Sequence, residues 1–204
     1  MASHTIPFNA TPIHIVETDF KLESNQLKTI KNLKYRTHGE NNTKLSEDTH
    51  ILDIESLKTI KDFISKHFNN FVDNILQVEN KFYMCNSWSS LQQKGDFHPV
   101  HIHPNTIINS VLYAKIDTGE LQWIIDKSPL QQPALIEYKI KEQNIFNSKS
   151  WNVPLKQGTI TFFPGHIAHT SKTHDTDNER IAIVTSYWLK GNLGSAEKYN
   201  DIIA

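Results

Sequence analysis

GDFHPVHIHPNTIINSVLYAKIDTGELQW, residues 95–123, is β-sheet sequence with a cluster of metal-binding side chains at its front. On an extended strand, side chains at i and i+2 share a face, so His101 and His103 can reach one ion while Ile102 points the other way. The runs Ile107 to Ile116 and Glu120 to Ile125 then flank Asp117-Thr118-Gly119, a turn signal. Further short β-like runs lie outward of this stretch, at Phe82 to Leu91, Ala134 to Ile140, Thr159 to Phe163 and Ile181 to Leu189. Lys94-Gly95-Asp96, Lys156-Gln157-Gly158 and Pro164-Gly165 punctuate them, and TPIHIVETDF (11–20) alternates as an opening strand does.

The first part of the chain has a different period. From Ser56 to Val78, Leu57, Ile60, Ile64, Phe68, Phe71 and Ile75 recur at threes and fours, which predicts an amphipathic helix. A shorter helix is expected over Glu23 to Leu33. Many short strands after a helical preface predict a mainly β protein with flanking helices, a β-sandwich or jelly roll braced on one side. The whole chain, 1–204, reads as one domain: a preface over 1–79, a β core over 80–190 and a tail over 191–204.

Composition narrows the function. The net charge is −1 and the charges are dispersed, so there is no basic stripe for nucleic acid and no membrane-binding face. Cys85 is the lone cysteine and cannot form an internal disulfide, and no apolar run is long enough to span a bilayer. A cytoplasmic setting is expected. Nineteen lysines stand against two arginines, Arg36 and Arg180, which makes an arginine at 180 the more notable.

A third imidazole, His169 in FFPGHIAHTS, can join His101 and His103 on one metal and leave the opposite positions open. That is the geometry of non-haem iron oxygenases, usually built from two His and one carboxylate. Here a His stands where the carboxylate is expected, so the donor set is neutral and zinc, nickel or manganese are also accommodated. His98 and His166 are alternative ligands, and His174 reads as a solvated loop residue. His4, His14, His38, His50 and His67 sit in segments with no partner. Trp88, Trp123, Trp151 and Trp188 read mostly as core, with Trp88 and Trp123 as candidate walls of a substrate pocket.

Arg180 follows His169 by eleven residues. A guanidinium matches both oxygens of a carboxylate, and alternation with Ala182 and Val184 suggests that it points inward. The alternative is a surface ion pair with Glu179 or Asp177.

These two segments, 95–123 and LKQGTITFFPGHIAHTSKTHDTDNERIAIVTSYW (155–188), resemble the 2-oxoglutarate/Fe(II)-dependent oxygenases found in bacteria and in tailed phages. The resemblance covers roughly residues 80 to 190 and implies a double-stranded β-helix, a jelly-roll, cupin-like core braced by N-terminal helices. It implies His101, His103 and His169 as ligands of Fe(II), Arg180 as partner of the far carboxylate of the cosubstrate 2-oxoglutarate, and Ser110 as a small hydroxyl residue of the cofactor site. It also implies an oxidoreductase, a dioxygenase hydroxylating a substrate that the sequence does not identify. The chain departs from the family in two places. Ser110-Val111-Leu112-Tyr113-Ala114 stands where Ser-Gly and Val-Tyr-Tyr are usual, and position 182 is Ala rather than a second hydroxyl. Two other classes fit the same histidines, a 2-oxoglutarate-independent three-His cupin-type metalloenzyme and a non-catalytic metal- or ligand-binding β-sandwich.

Overall fold

In the computed structural model, residues 10–37, 43–124 and 139–203 are described. The strands are β1 (His14–Val16), β2 (Tyr35–Thr37), β3 (Lys44–Ser46), β4 (Lys81–Gln92), β5 (His98–His101), β6 (Ile108–Lys115) and β7 (Gly119–Ile124). They continue with β8 (Ser150–Leu155), β9 (Ile160–Pro164), β10 (Ala168–Ser171), β11 (Arg180–Lys190), β12 (Asn192–Leu193) and β13 (Ile202–Ile203). Two helices, α1 (Ser24–Lys31) and α2 (Lys58–Phe71), precede the long strands.

A seven-stranded sheet in the order β1-β9-β6-β11-β4-β3-β2 faces a four-stranded sheet in the order β5-β10-β7-β8. Every pairing inside these two sheets is antiparallel. Two antiparallel sheets with the crossovers β9-β6-β11-β4 and β10-β7 make a double-stranded β-helix of the jelly-roll kind.

The period-two alternation of the central strands divides their residues between two cores. Ile181, Ile183 and Tyr187 of β11, Leu112 of β6 and Phe162 of β9 pack outward against Ile60, Ile64, Phe68 and Phe71 of α2. Phe68 stacks on Tyr187 with ring centroids 3.6 Å apart. The intervening residues, Val111, Tyr113, Phe163, Ala182 and Val184, face the small sheet and meet Leu121 and Trp123. Helix α1 opens with a reciprocal Glu23–Gln26 capping box, which satisfies backbone N–H groups at the helix start.

The expected helix over Ser56 to Val78 is shorter than its apolar stripe. A 3-10 turn covers Glu55–Leu57, α2 ends at Phe71, and one wide turn over Val72–Leu76 leads to left-handed Gln77. Ile75 matched the period yet is exposed, because the chain leaves the sheet before reaching it. The run Ala134 to Ile140 lies mostly outside the described residues. Strands β2, β3, β8 and β10 were not expected as strands; they span three to six residues each and are too short or too polar to show a period. The extended strand expected through His101 and His103 is β5, but it ends at His101, so His103 lies beyond it and Ile102 lines the cavity rather than pointing away.

Candidate metal and cosubstrate site

Hydrogen-bonded pairing of β5 with β10 sets His101 directly opposite His169. Residues so placed have Cβ atoms about 4.5–5.5 Å apart, within reach of a shared ion. His103 lies just past β5, where its N–H donates to the Gly165 carbonyl at 2.9 Å. Only glycine fits at 165, since a Cβ there would stand 2.7 Å from the Thr106 carbonyl oxygen and 2.9 Å from that of His103. The Pro164-Gly165 turn therefore fixes where the third ring sits.

The three rings converge. One ligand nitrogen from each of His101, His103 and His169 lies within 4.8 Å of the other two, and the Nε2 atoms of His103 and His169 are 3.2 Å apart. Two adjacent ligands at metal–nitrogen distances of 2.0–2.1 Å and a right angle stand roughly 3.0 Å apart, so the spacing fits a first-row metal. Backbone carbonyls fix the tautomers. Nδ1 of His101 lies 2.8 Å from the Pro99 oxygen, and Nδ1 of His169 lies 3.0 Å from the Ile167 oxygen. A carbonyl only accepts, so each Nδ1 carries the proton and each Nε2 presents a lone pair to the centre. Burial pushes the His103 and His169 imidazoles down to about 3, with the neighbouring His169 and His101 respectively adding to the effect. Both rings are thus neutral ligands at ordinary pH.

Arg180 opens β11 on the same cavity, is 2 % exposed, and points inward with Ala182 and Val184. Neither acidic neighbour takes it: Glu179 pairs with Lys31 and Lys115, and Asp177 with Lys94. Asp175 and Asp96 act on it through charge alone, and among the described residues its hydrogen-bond partners are neutral. Nε donates to Gln92 Oε1 at 2.7 Å, while Nη2 donates to Ser171 Oγ at 3.2 Å and the Lys172 carbonyl at 3.3 Å. Burial lowers the guanidinium pKa from its ordinary value, as desolvation does to any cation. Tyr113 also lines this cavity, and its hydroxyl hydrogen-bonds to no described residue. Burial raises its pKa, against the opposing pull of Arg180.

The cavity holds about 260 Å³ between the two sheets, with the histidines at one end and the guanidinium within reach. Apart from Arg180 and the imidazoles its walls are uncharged, formed by side chains such as Trp88, Leu45, Ile102 and Val184.

The remaining sequence candidates fall elsewhere. Ser110 is buried on the opposite, helix-facing side of β6, where its hydroxyl meets Thr185 Oγ1 at 2.6 Å, so it is not brought to the cavity. Strand phase explains this: Val111 and Tyr113 take the inward positions, which leaves Ser110 with Leu112. His98 lines the cavity with its ring centroid 4.0 Å from that of His101 but is not one of the three convergent ligands. His166 is exposed in a separate apolar groove beside Leu76 and Phe82. His174, expected in solvent, is 1 % exposed, because its backbone is tied to Asp96 and Gly95 across the loop. Trp123 is buried in the inner core, Trp88 walls the cavity, and Trp151 and Trp188 are exposed rather than core. Gln92 and Tyr113 were missed as site residues. Their signal was the inward phase they share with Arg180 and Val111.

Residues 86–185 match the family model described as "Putative 2OG-Fe(II) oxygenase". Over that stretch the chain is of the 2-oxoglutarate/Fe(II) oxygenase family. No curated protein matches its sequence. Solved structures share its fold. An oxidoreductase of the 2OG-Fe(II) oxygenase family from Burkholderia pseudomallei superposes with a TM-score of 0.59 at 13% identity, covering 86% of this chain and 84% of that one. HygX from Streptomyces hygroscopicus, solved with nickel and 2-oxoglutarate bound, gives 0.59 at 9% identity over 88% and 84%. The non-haem α-ketoglutarate-dependent epimerase SnoN from nogalamycin biosynthesis gives 0.60 at 12% identity over 87% and 78%.

Proposed function

We propose that this oxygenase holds Fe(II) on His101, His103 and His169, binds the far carboxylate of 2-oxoglutarate with Arg180, and hydroxylates an unactivated C–H bond of a small-molecule substrate. The observation that carries the reading is a buried guanidinium to which no described carboxylate is hydrogen-bonded, on the same cavity as three convergent imidazoles. A buried cation is costly unless paired, so the site is built to receive an anion. When bound, iron and cosubstrate supply the oxidising chemistry: dioxygen and 2-oxoglutarate give succinate and carbon dioxide, and one oxygen atom goes to the substrate.

The protein supplies placement. The Pro99 and Ile167 carbonyls keep the Nε2 lone pairs of His101 and His169 aimed at the centre. Arg180 sets the far end of the cosubstrate through a charge-assisted contact from Nη1, the guanidinium nitrogen with no hydrogen bond to a described residue, with the Tyr113 hydroxyl available as a further donor. Trp88, Leu45 and Ile102 keep the approach to the metal apolar, which excludes water and suits an uncharged substrate segment. A neutral three-His face leaves the full dipositive charge on the metal, which favours an anionic chelator in the open positions.

The test is succinate formation from 2-oxoglutarate by Fe(II)-loaded protein in air, alongside metal analysis. The wild type makes succinate only with Fe(II) present. His169→Ala loses the metal, whereas Arg180→Ala keeps it and needs far more 2-oxoglutarate. Equal loss of metal in both variants contradicts the roles assigned.

A further inference from the structure

Arg180 owes its placement to one neutral side chain that no sequence motif marks. Gln92 is its cross-strand partner in the β11–β4 register, is 4 % exposed, and gives the guanidinium its shortest hydrogen bond, 2.7 Å to Nε. The amide cannot be reversed. Arginine only donates, so the atom facing it must be Oε1, and Nε2 is then left facing oxygens that accept. Those oxygens are Thr43 Oγ1 at 3.0 Å and Ser171 Oγ at 3.4 Å. Thr43 is itself fully buried and donates to the Phe97 carbonyl at 2.7 Å, so its oxygen is oriented to receive.

The other contacts of Arg180 are weaker. Ser171 Oγ is shared by three donors, Arg180 Nη2, Gln92 Nε2 and the His98 N–H, at 3.0 to 3.4 Å. Nη1 makes no hydrogen bond to any described residue and lies against Gly119, where a Cβ would come within 3.1 Å of it. One edge of the guanidinium is therefore pinned by Gln92, and two N–H groups remain for a ligand.

We propose that Gln92 is a positioning residue for the anion-binding arginine, and that its neutrality is the functional point. A glutamate here would form a stronger, charge-assisted bond to Nε and stabilise the empty protein, but it would cancel the charge that the cosubstrate carboxylate needs. A glutamine fixes the same atoms and leaves that charge without a hydrogen-bonded carboxylate, Asp175 and Asp96 acting on it only through charge. Stability of the empty protein and affinity for the anion are thus set against each other at one side chain. The inference rests on the proposed role of Arg180.

The experiment compares wild type, Gln92→Glu and Gln92→Met by calorimetric titration of 2-oxoglutarate into the Mn(II)-loaded protein without oxygen. Melting temperatures of the metal-free proteins and Mn(II) affinities are measured alongside. For Gln92→Glu we expect a 2-oxoglutarate Kd raised at least tenfold, unchanged Mn(II) affinity, and a melting temperature equal to or above that of wild type. Gln92→Met, which keeps the volume and removes the acceptor, raises Kd severalfold and lowers the melting temperature. A Kd within twofold of wild type in both variants overturns the inference while the cosubstrate reading stands. If Gln92→Glu fails to fold, the opposition of stability and affinity is refuted. Wild-type protein that binds Mn(II) but not 2-oxoglutarate overturns the cosubstrate reading itself, and this inference with it.

Discussion

The two faces of the large sheet are made by alternate residues of the same strands, yet they meet opposite demands. On the helix side, Ile181, Ile183 and Tyr187 close against Ile60, Ile64 and Phe68 with no charge inside. On the inner side the same strand presents Arg180, Ala182 and Val184 to a cavity that keeps a buried cation and neutral imidazoles. A packed face gains from every filled contact, whereas a receiving face must leave some of its potential unsatisfied until a ligand arrives. Substitutions on the two faces should therefore separate stability from binding.

The sharpest separation is expected at His169. His169→Ala removes one of three donors and abolishes stoichiometric Fe(II) uptake, read by elemental analysis, while the far-ultraviolet circular dichroism stays that of wild type. Loss of the fold together with the metal would erase the contrast between faces. Next comes Phe68→Ala on the helix side. Removing a buried phenyl group stacked on Tyr187 costs about 3–5 kcal/mol of stability, measured by denaturant unfolding, with 2-oxoglutarate Kd in the folded fraction unchanged.

Arg180→Met acts in the reverse sense. It removes a charge-assisted contact worth about 1.5–3 kcal/mol, so 2-oxoglutarate binding weakens by about tenfold or more. The metal-free protein should be no less stable, because a desolvated charge has gone. A marked fall in melting temperature would show that Arg180 belongs to the structural face after all.

A further separation is expected in the response to pH. His103 and His169 protonate near pH 3 in the folded protein but near 6.5 when unfolded, so between those values the unfolded chain holds more protons. The stability these neutral rings contribute is complete above pH 6.5 and is lost as the pH falls from 6.5 toward 3. Thermal melts of the metal-free protein across that window should decline more steeply than those of a His103→Ala/His169→Ala variant; parallel curves would refute the shift.

How much of this could be read in the sequence differs between the faces in the same way. The helix-facing layer announced itself by period, in Ile60, Ile64 and Phe68 at threes and fours and in the apolar alternation of β11, since burial alone writes that pattern. The histidines and Arg180 were legible because few other residues could do their chemistry. Ser110 does not reach the cavity, because a resemblance matches positions along the chain whereas strand phase decides which side a residue faces, and Val111 and Tyr113 hold the inner one. Gln92 was invisible because an ordinary glutamine gains meaning only from the arginine opposite, eighty-eight residues away in the chain. The strand bearing His169 was not expected because it is only four residues long, and the one bearing His101 was expected to run on through His103.

The central claim is that one metal on three imidazoles and one carboxylate on Arg180 meet in a single cavity. Anaerobic calorimetric titration of 2-oxoglutarate into wild-type protein, with and without Fe(II), tests it most directly. The account predicts one Fe(II) per chain and tight binding of one 2-oxoglutarate that requires the metal and is lost in Arg180→Met with Fe(II) retained. Binding of 2-oxoglutarate that ignores the metal, or that survives undiminished in Arg180→Met, would contradict it.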